Sequence, residues 1–240
     1  MRKLCAWALA GAALAVAGTA NATNCSNADF KKLQFFSSDT GGIFWQNERY
    51  DSPLDTNSQR LLVHLLTQTG DDWAGAYSNC TGIEGKLVGA VRNLSFDYLN
   101  ATAEPAVHIG AGAPRFSVDI DSDGNGVYDF SAFLSAFYCQ GTTGDAGWGR
   151  ADFTGQTALN ACTVWADGVP YTSDGARSAW KVYADANPTH KVMSWLGPAY
   201  LIMDESGTAF VDRLAFYNKM YVQNGHGSAA IKNCPSEASC

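Results

Sequence analysis

Apolar and polar residues alternate with period two over short stretches of this chain, and clusters of turn-forming residues separate those stretches. The plainest case spans residues 115–136. Before the turn, Phe116, Val118 and Ile120 share one face of an extended segment, while Ser117 and Asp119 share the other. After it, Tyr128, Phe130, Ala132, Leu134 and Ala136 make an apolar face, with Asp129, Ser131 and Ser135 opposite. Successive side chains of a strand point to opposite faces, so the pattern predicts a hairpin that turns Asp119 and Asp129 away from the core.

Other strands are predicted over 31–36, 43–50, 60–68 (a dense apolar run whose length also suits a short helix), 73–77, 161–166, 199–203 and 208–217, with 86–91 and 94–99 as a strand pair or one bent strand. The last two of the first group read as strand, turn and strand around Asp204-Glu205-Ser206-Gly207. Trp148, between Gly147 and Gly149, falls in a loop over 141–149. Helical spacing is confined to 174–186, where Ala176, Trp180, Tyr183 and Ala184 recur on one face. Ser173-Asp174-Gly175 caps that segment and Asn187-Pro188 stops it. The pattern is that of an all-β chain: a two-sheet antiparallel sandwich with one short helix near 174–186.

Residues 1–22 depart from this texture. Arg2-Lys3, the apolar run Leu4 to Val16 and the close Ala20-Asn21-Ala22 have the form of a secretory signal peptide. No later segment reaches the ~20 apolar residues of a membrane helix. The expectation is a secreted chain, extracellular or periplasmic, with a single β-sandwich domain over 23–240 and no membrane span. Cleavage leaves 14 basic and 23 acidic residues, a net charge of −9, and no basic stripe, which argues against nucleic acid as a partner.

Six cysteines follow the signal: Cys25, Cys80, Cys139, Cys162, Cys234 and Cys240. An even number in an exported chain predicts three disulfides, for which 15 pairings exist. Local closure favours Cys139 with Cys162 and Cys234 with Cys240, leaving Cys25 with Cys80. Beyond residue 22 four sequons, at Asn24, Asn79, Asn93 and Asn100, carry little weight in a chain this rich in Asn, Ser and Thr.

The densest like charge lies in the turn of the hairpin, where Asp119, Asp121, Asp123, Asn125 and Asp129 crowd eleven residues. Oxygen donors on alternate residues of a tight turn, with glycines to close it, suit a hard cation such as calcium in a structural role. A solvated hairpin turn uses the same residue types. Counted from Asp119, position 12 is Phe130, where a helix-flanked calcium loop needs a bidentate acid. Counted from Asp121, the run resembles the nine-residue calcium loop D-x-D-x-[DN]-G-x-x-D of integrin-type extracellular β repeats, with Asp129 in ninth place.

Trp148 and Trp73 in loops, and Tyr50 near a strand end, are candidates to stack on a sugar ring, although such aromatics also serve as packing anchors. No nucleophile elbow, zinc motif or spaced pair of catalytic acids occurs. That favours a non-catalytic protein, with pairs of carboxylates that meet only in the folded chain left open. Finally, the segment from Trp180 through Pro188 and the 204–207 turn to Val211-Asp212-Arg213-Leu214 resembles the C-terminal end of secreted jelly-roll modules of the carbohydrate-binding type. Gly112-Ala113-Pro114-Arg115-Phe116 is similar to exported bacterial proteins. The resemblance implies a jelly-roll-like sandwich with a calcium hairpin, binding a polysaccharide or surface glycan. A calcium-dependent polysaccharide-degrading enzyme, glycosidase or lyase, and a structural surface or matrix protein are the alternatives.

Overall fold

The structure, a computed structural model, describes residues 34–38, 42–46, 62–67, 73–78, 82–99, 114–139, 148–155, 162–193, 199–204, 207–216, 219–223 and 229–233. The signal segment, Tyr50, and cysteines 25, 80, 234 and 240 lie outside them. Among the described residues no helix is long and apolar enough to cross a membrane.

Two antiparallel sheets and a single α-helix account for the regular structure of the described residues. The first sheet runs in the order β1 (Gln34–Ser37), β4 (Ala74–Tyr77), β12 (Ala199–Met203), β6 (Arg115–Asp121), β7 (Phe130–Ser135), β9 (Thr163–Ala166) and β10 (Val169–Thr172). A two-residue strand, β11 (Lys191–Val192), continues the edge of β6 beyond β12, pairing with Ile120 and Asp121. The second sheet runs β15 (Ala229–Asn233), β14 (Lys219–Gln223), β13 (Gly207–Phe216), β3 (Leu62–Thr67) and β2 (Gly42–Gln46). Within it β13 also pairs with β5 (Ser95–Leu99), which in turn pairs with β8 (Trp148–Asp152).

The period-two pattern accounts for the packing. Phe116, Val118 and Ile120 of β6 stand directly opposite Leu134, Ala132 and Phe130 of β7, so all six share the inner face. Across the sandwich, Phe116 meets Phe96 of the second sheet edge-on at 5.0 Å between ring centroids and Phe216 at 4.9 Å. These rings are fully buried. Removal of apolar surface from water contributes about 1.5–3 kcal/mol for each such side chain.

The helix α1 (Ala179–Ala186) begins later than expected. Asp174 does accept amide hydrogens, from Ala176 and Arg177, but it closes a separate turn, and Ser178 Oγ caps the helix by accepting from Lys181 N at 3.2 Å. Ala179, Trp180, Tyr183 and Ala184 are buried, and Trp180 Nε1 donates to the Val88 carbonyl at 2.9 Å. Residues 86–91 are not a strand. Val88–Ala90 forms a 3-10 turn, joined to the sheet through a bridge between Leu87 and Lys191. The expected turn at 204–207 leads from β12 in one sheet to β13 in the other instead of closing a hairpin. Trp148 opens a strand and is not in a loop.

Cys139 and Cys162 form a disulfide, as local closure favoured. Asn93 of the third sequon is buried, which leaves its side chain no room for a glycan.

Gly75 of β4 tests the outer layer of the first sheet. A Cβ there would run into the Phe36 ring and the Leu201 carbonyl oxygen. Gly75→Ala should therefore destabilise the fold by about 1–3 kcal/mol, read as a lower urea midpoint at unchanged slope. An unchanged midpoint would contradict this close approach of β1, β4 and β12.

Candidate functional site: a groove beside an aspartate loop

The turn joining β6 to β7 is shaped by one buried carboxylate. Asp121 ends β6 almost wholly out of water, and charge removed from water has to be met by hydrogen bonds. Its Oδ1 accepts from Gly124 N at 2.7 Å and Asn125 N at 3.1 Å, and its Oδ2 accepts from Gly126 N at 3.0 Å. To bring three amides round one carboxylate the chain passes through the left-handed region at Gly124 (φ 78°) and Gly126 (φ 83°), which glycine enters without steric penalty.

The other acids line the same turn. Asp123 Oδ1 accepts from Asn125 N at 3.0 Å, and its Oδ2 accepts from Asn125 Nδ2 at 2.9 Å. Asn125 Oδ1 accepts from Val127 N at 2.7 Å. Asp129 Oδ2 receives Ser122 N at 2.7 Å and Ser122 Oγ at 2.6 Å. The Ser122 hydroxyl, followed by its amide, holds the Asp129 carboxyl below the usual carboxylate range. Oxygens of Asp121, Asp123 and Asp129 lie within 4.8 Å of one another.

Asp119 lies apart from these three. It faces outward from the core as expected but is fully buried, and its Oδ1 accepts from Ser131 Oγ at 2.9 Å. Lys191 Nζ stands beside the loop, 3.7 Å from where a Cβ on Gly124 would be, so an ammonium already offsets part of the loop's charge.

A groove of about 750 Å³ opens on the outer face of β6, β7 and β9, next to this loop. Phe133 and Trp165 are directly opposed across β7 and β9, and Tyr138 packs on Trp165 at 5.8 Å between ring centroids. At one end Arg115 forms a two-pronged ion pair with Asp204, its Nη2 2.6 Å from Oδ2, and its guanidinium lies 4.7 Å from the Phe133 ring centroid. Asp129 and Asp167 line it as well. Asp167 (φ 49°) and Gly168 (φ 73°) are the two-residue turn between β9 and β10, in the type I′ conformation that Asp-Gly favours. Trp165 Nε1 is buried with no hydrogen-bond partner among the described residues.

The aromatic residues singled out in the sequence do not converge here. Trp73 precedes β4, 40% exposed, with its ring 5.6 Å from Phe36. Trp148 belongs to the other sheet, paired with Leu99. Sequence reasoning missed the groove residues, although two signals were present. Phe133 is an aromatic out of phase in a strand whose outer positions are otherwise Ser131 and Ser135. Asp167-Gly168 separates two short β-prone runs.

A pair of carboxylates that meets only in the folded chain does exist. Asp97 of β5 stands opposite Asp212 of β13 on the outer face of the second sheet. Arg150 Nη1 lies 3.1 Å from Asp97 Oδ1 and Arg213 Nη1 3.5 Å from its Oδ2, while Arg150 Nη2 donates to Ser95 Oγ at 2.8 Å. With both acids buried and guanidiniums against Asp97, the group is an ion-pair clamp and not an acid and base facing a substrate.

No known protein family, curated protein or solved structure matches the chain.

His190, just before β11, gives the loop region a pH dependence. Its Nδ1 is 2.9 Å from Tyr183 Oη and its ring packs edge-on to Phe130. Burial lowers its pKa, and the charges of Asp129 and Asp121 pull the other way without cancelling that effect. The folded chain therefore favours neutral imidazole. Its stabilisation is complete above the unfolded value of about 6.5 and is lost as pH falls from there through the folded value. Melting temperatures should fall between about pH 7.5 and pH 5, and fall less in His190→Gln. Equal falls in both proteins would remove His190 as the cause.

Proposed function

We propose that the protein is an exported, non-catalytic β-sandwich that binds a polysaccharide or surface glycan through the groove on β6, β7 and β9, with a structural calcium ion in the neighbouring loop. The observation that carries the reading is the groove itself. Phe133, exposed at 41%, offers a flat apolar surface beside Trp165, and Arg115, Ser131 and Asp167 offer donors and acceptors at its margins. Apolar walls with a few placed polar groups are the usual make-up of a small-ligand site. Export rests on the signal-like N-terminus, with the Cys139–Cys162 bond in keeping with an oxidising compartment.

The donor set fits a hard cation. Each carboxylate oxygen has two lone pairs, so an oxygen that accepts an amide hydrogen keeps capacity for a metal. Asp121, Asp123 and Asp129 would supply the charge, with Asn125 at the same turn. Calcium there would clamp the hairpin that carries Asp129, one margin of the groove.

Two measurements test this. Calcium should raise the melting midpoint relative to chelator, because an ion held only by the folded state stabilises it by mass action. The combined variant Asp121→Ala and Asp123→Ala should lose the shift. No shift in the parent protein, or the same shift in the variant, refutes the metal. For the glycan, affinity electrophoresis over a polysaccharide panel should show retention that drops about tenfold on Phe133→Ala, a loss near 1.4 kcal/mol. Retention without new sugar ends supports a binding protein. Release of reducing or unsaturated ends would replace it with the degrading enzyme, and self-assembly without retention with the structural protein.

A further inference from the structure

We infer, on the reading that the groove is the glycan site, that it takes chains without acidic groups and turns away uronates and sulfated sugars. Two independent observations lead there. The first is charge. Among the described residues Arg115 is the one cationic side chain lining the groove, and its two-pronged pairing with Asp204 balances its charge. Asp129 and Asp167 remain, both exposed at the margin of an apolar floor. A carboxylate or sulfate laid on that floor would stand within a Debye length, about 8 Å at physiological salt, of at least one of them. A calcium ion in the loop would offset Asp129 but leave Asp167.

The second observation is the type of hydrogen-bonding group. Asp129 and Asp167 only accept, so they suit the hydroxyl hydrogens of a neutral sugar whose apolar face lies on Phe133. A carboxylate or sulfate offers them no hydrogen and repels them.

The test is affinity electrophoresis of the full mature chain in gels of a neutral glucan and of the same glucan carboxymethylated, at low and physiological salt. The neutral polymer should retain the protein about tenfold more strongly, with the gap narrowing as salt rises. Asp167→Asn keeps a residue that tolerates positive φ and removes one charge, so the ratio of anionic to neutral affinity should rise. Equal or stronger retention of the carboxymethylated polymer by the parent protein overturns the selectivity while leaving glycan binding intact. An unchanged ratio in Asp167→Asn overturns the role assigned to that residue. No retention of any polysaccharide overturns the glycan reading as well.

Discussion

Contact between Phe116 and the two rings facing it, Phe96 and Phe216, is what makes two sheets into one body. Hydrogen bonds close each sheet within itself, but nothing in a ladder of amides draws one sheet onto another. Apolar surface removed from water does that, and aromatic pairs in tilted or edge-on contact add about 0.5–1.5 kcal/mol each. The inner faces are therefore fully committed to packing. Chemistry is left to the outer faces, and these have been treated in two ways. On the second sheet, Asp97 is drawn into ion pairs with Arg150 and Arg213, with Asp212 opposite it. On the first, β6, β7 and β9 leave a groove open.

Much of the sandwich was legible in the sequence because its cause is local. Alternation over 115–120 and 130–134 specifies which side chains share a face, and the observed register pairs them one to one. Partner choice is not local. The strands at 199–203 and 207–216 were recognisable, yet their assignment to different sheets depends on which neighbours bury them. The helix start shows the same limit, for Asp174 and Ser178 are equally good caps by residue type. What decides is that Ala179 and Trp180, directly after Ser178, are buried against the sandwich.

The candidate site divides along the same line. Its loop was readable because Asp121, Asp123, Asn125 and Asp129 lie within nine residues, and the structure adds that Asp121 organises the turn through amide hydrogen bonds. Only Asp119 behaves differently from its neighbours, since it is paired across the strands with Ser131. The groove was not readable, because Arg115, Phe133, Trp165 and Asp204 come from four strands or strand ends far apart in the chain. Of the stacking residues chosen for lying in apparent loops, Trp73 precedes β4 and Trp148 opens β8 in the other sheet.

The Cys139–Cys162 bond connects the chain next to Tyr138 with the residue before β9, the strand that carries Trp165. It therefore ties together two sides of the aromatic wall. A wall assembled by weak contacts can open and re-form around whatever enters; one tethered covalently keeps its aperture. The groove is thus preorganised, and under the proposed function a ligand would meet a slot of set width without first having to order it. Such a slot would work as a gauge, sorting rings by thickness and flatness before any hydrogen bond is made.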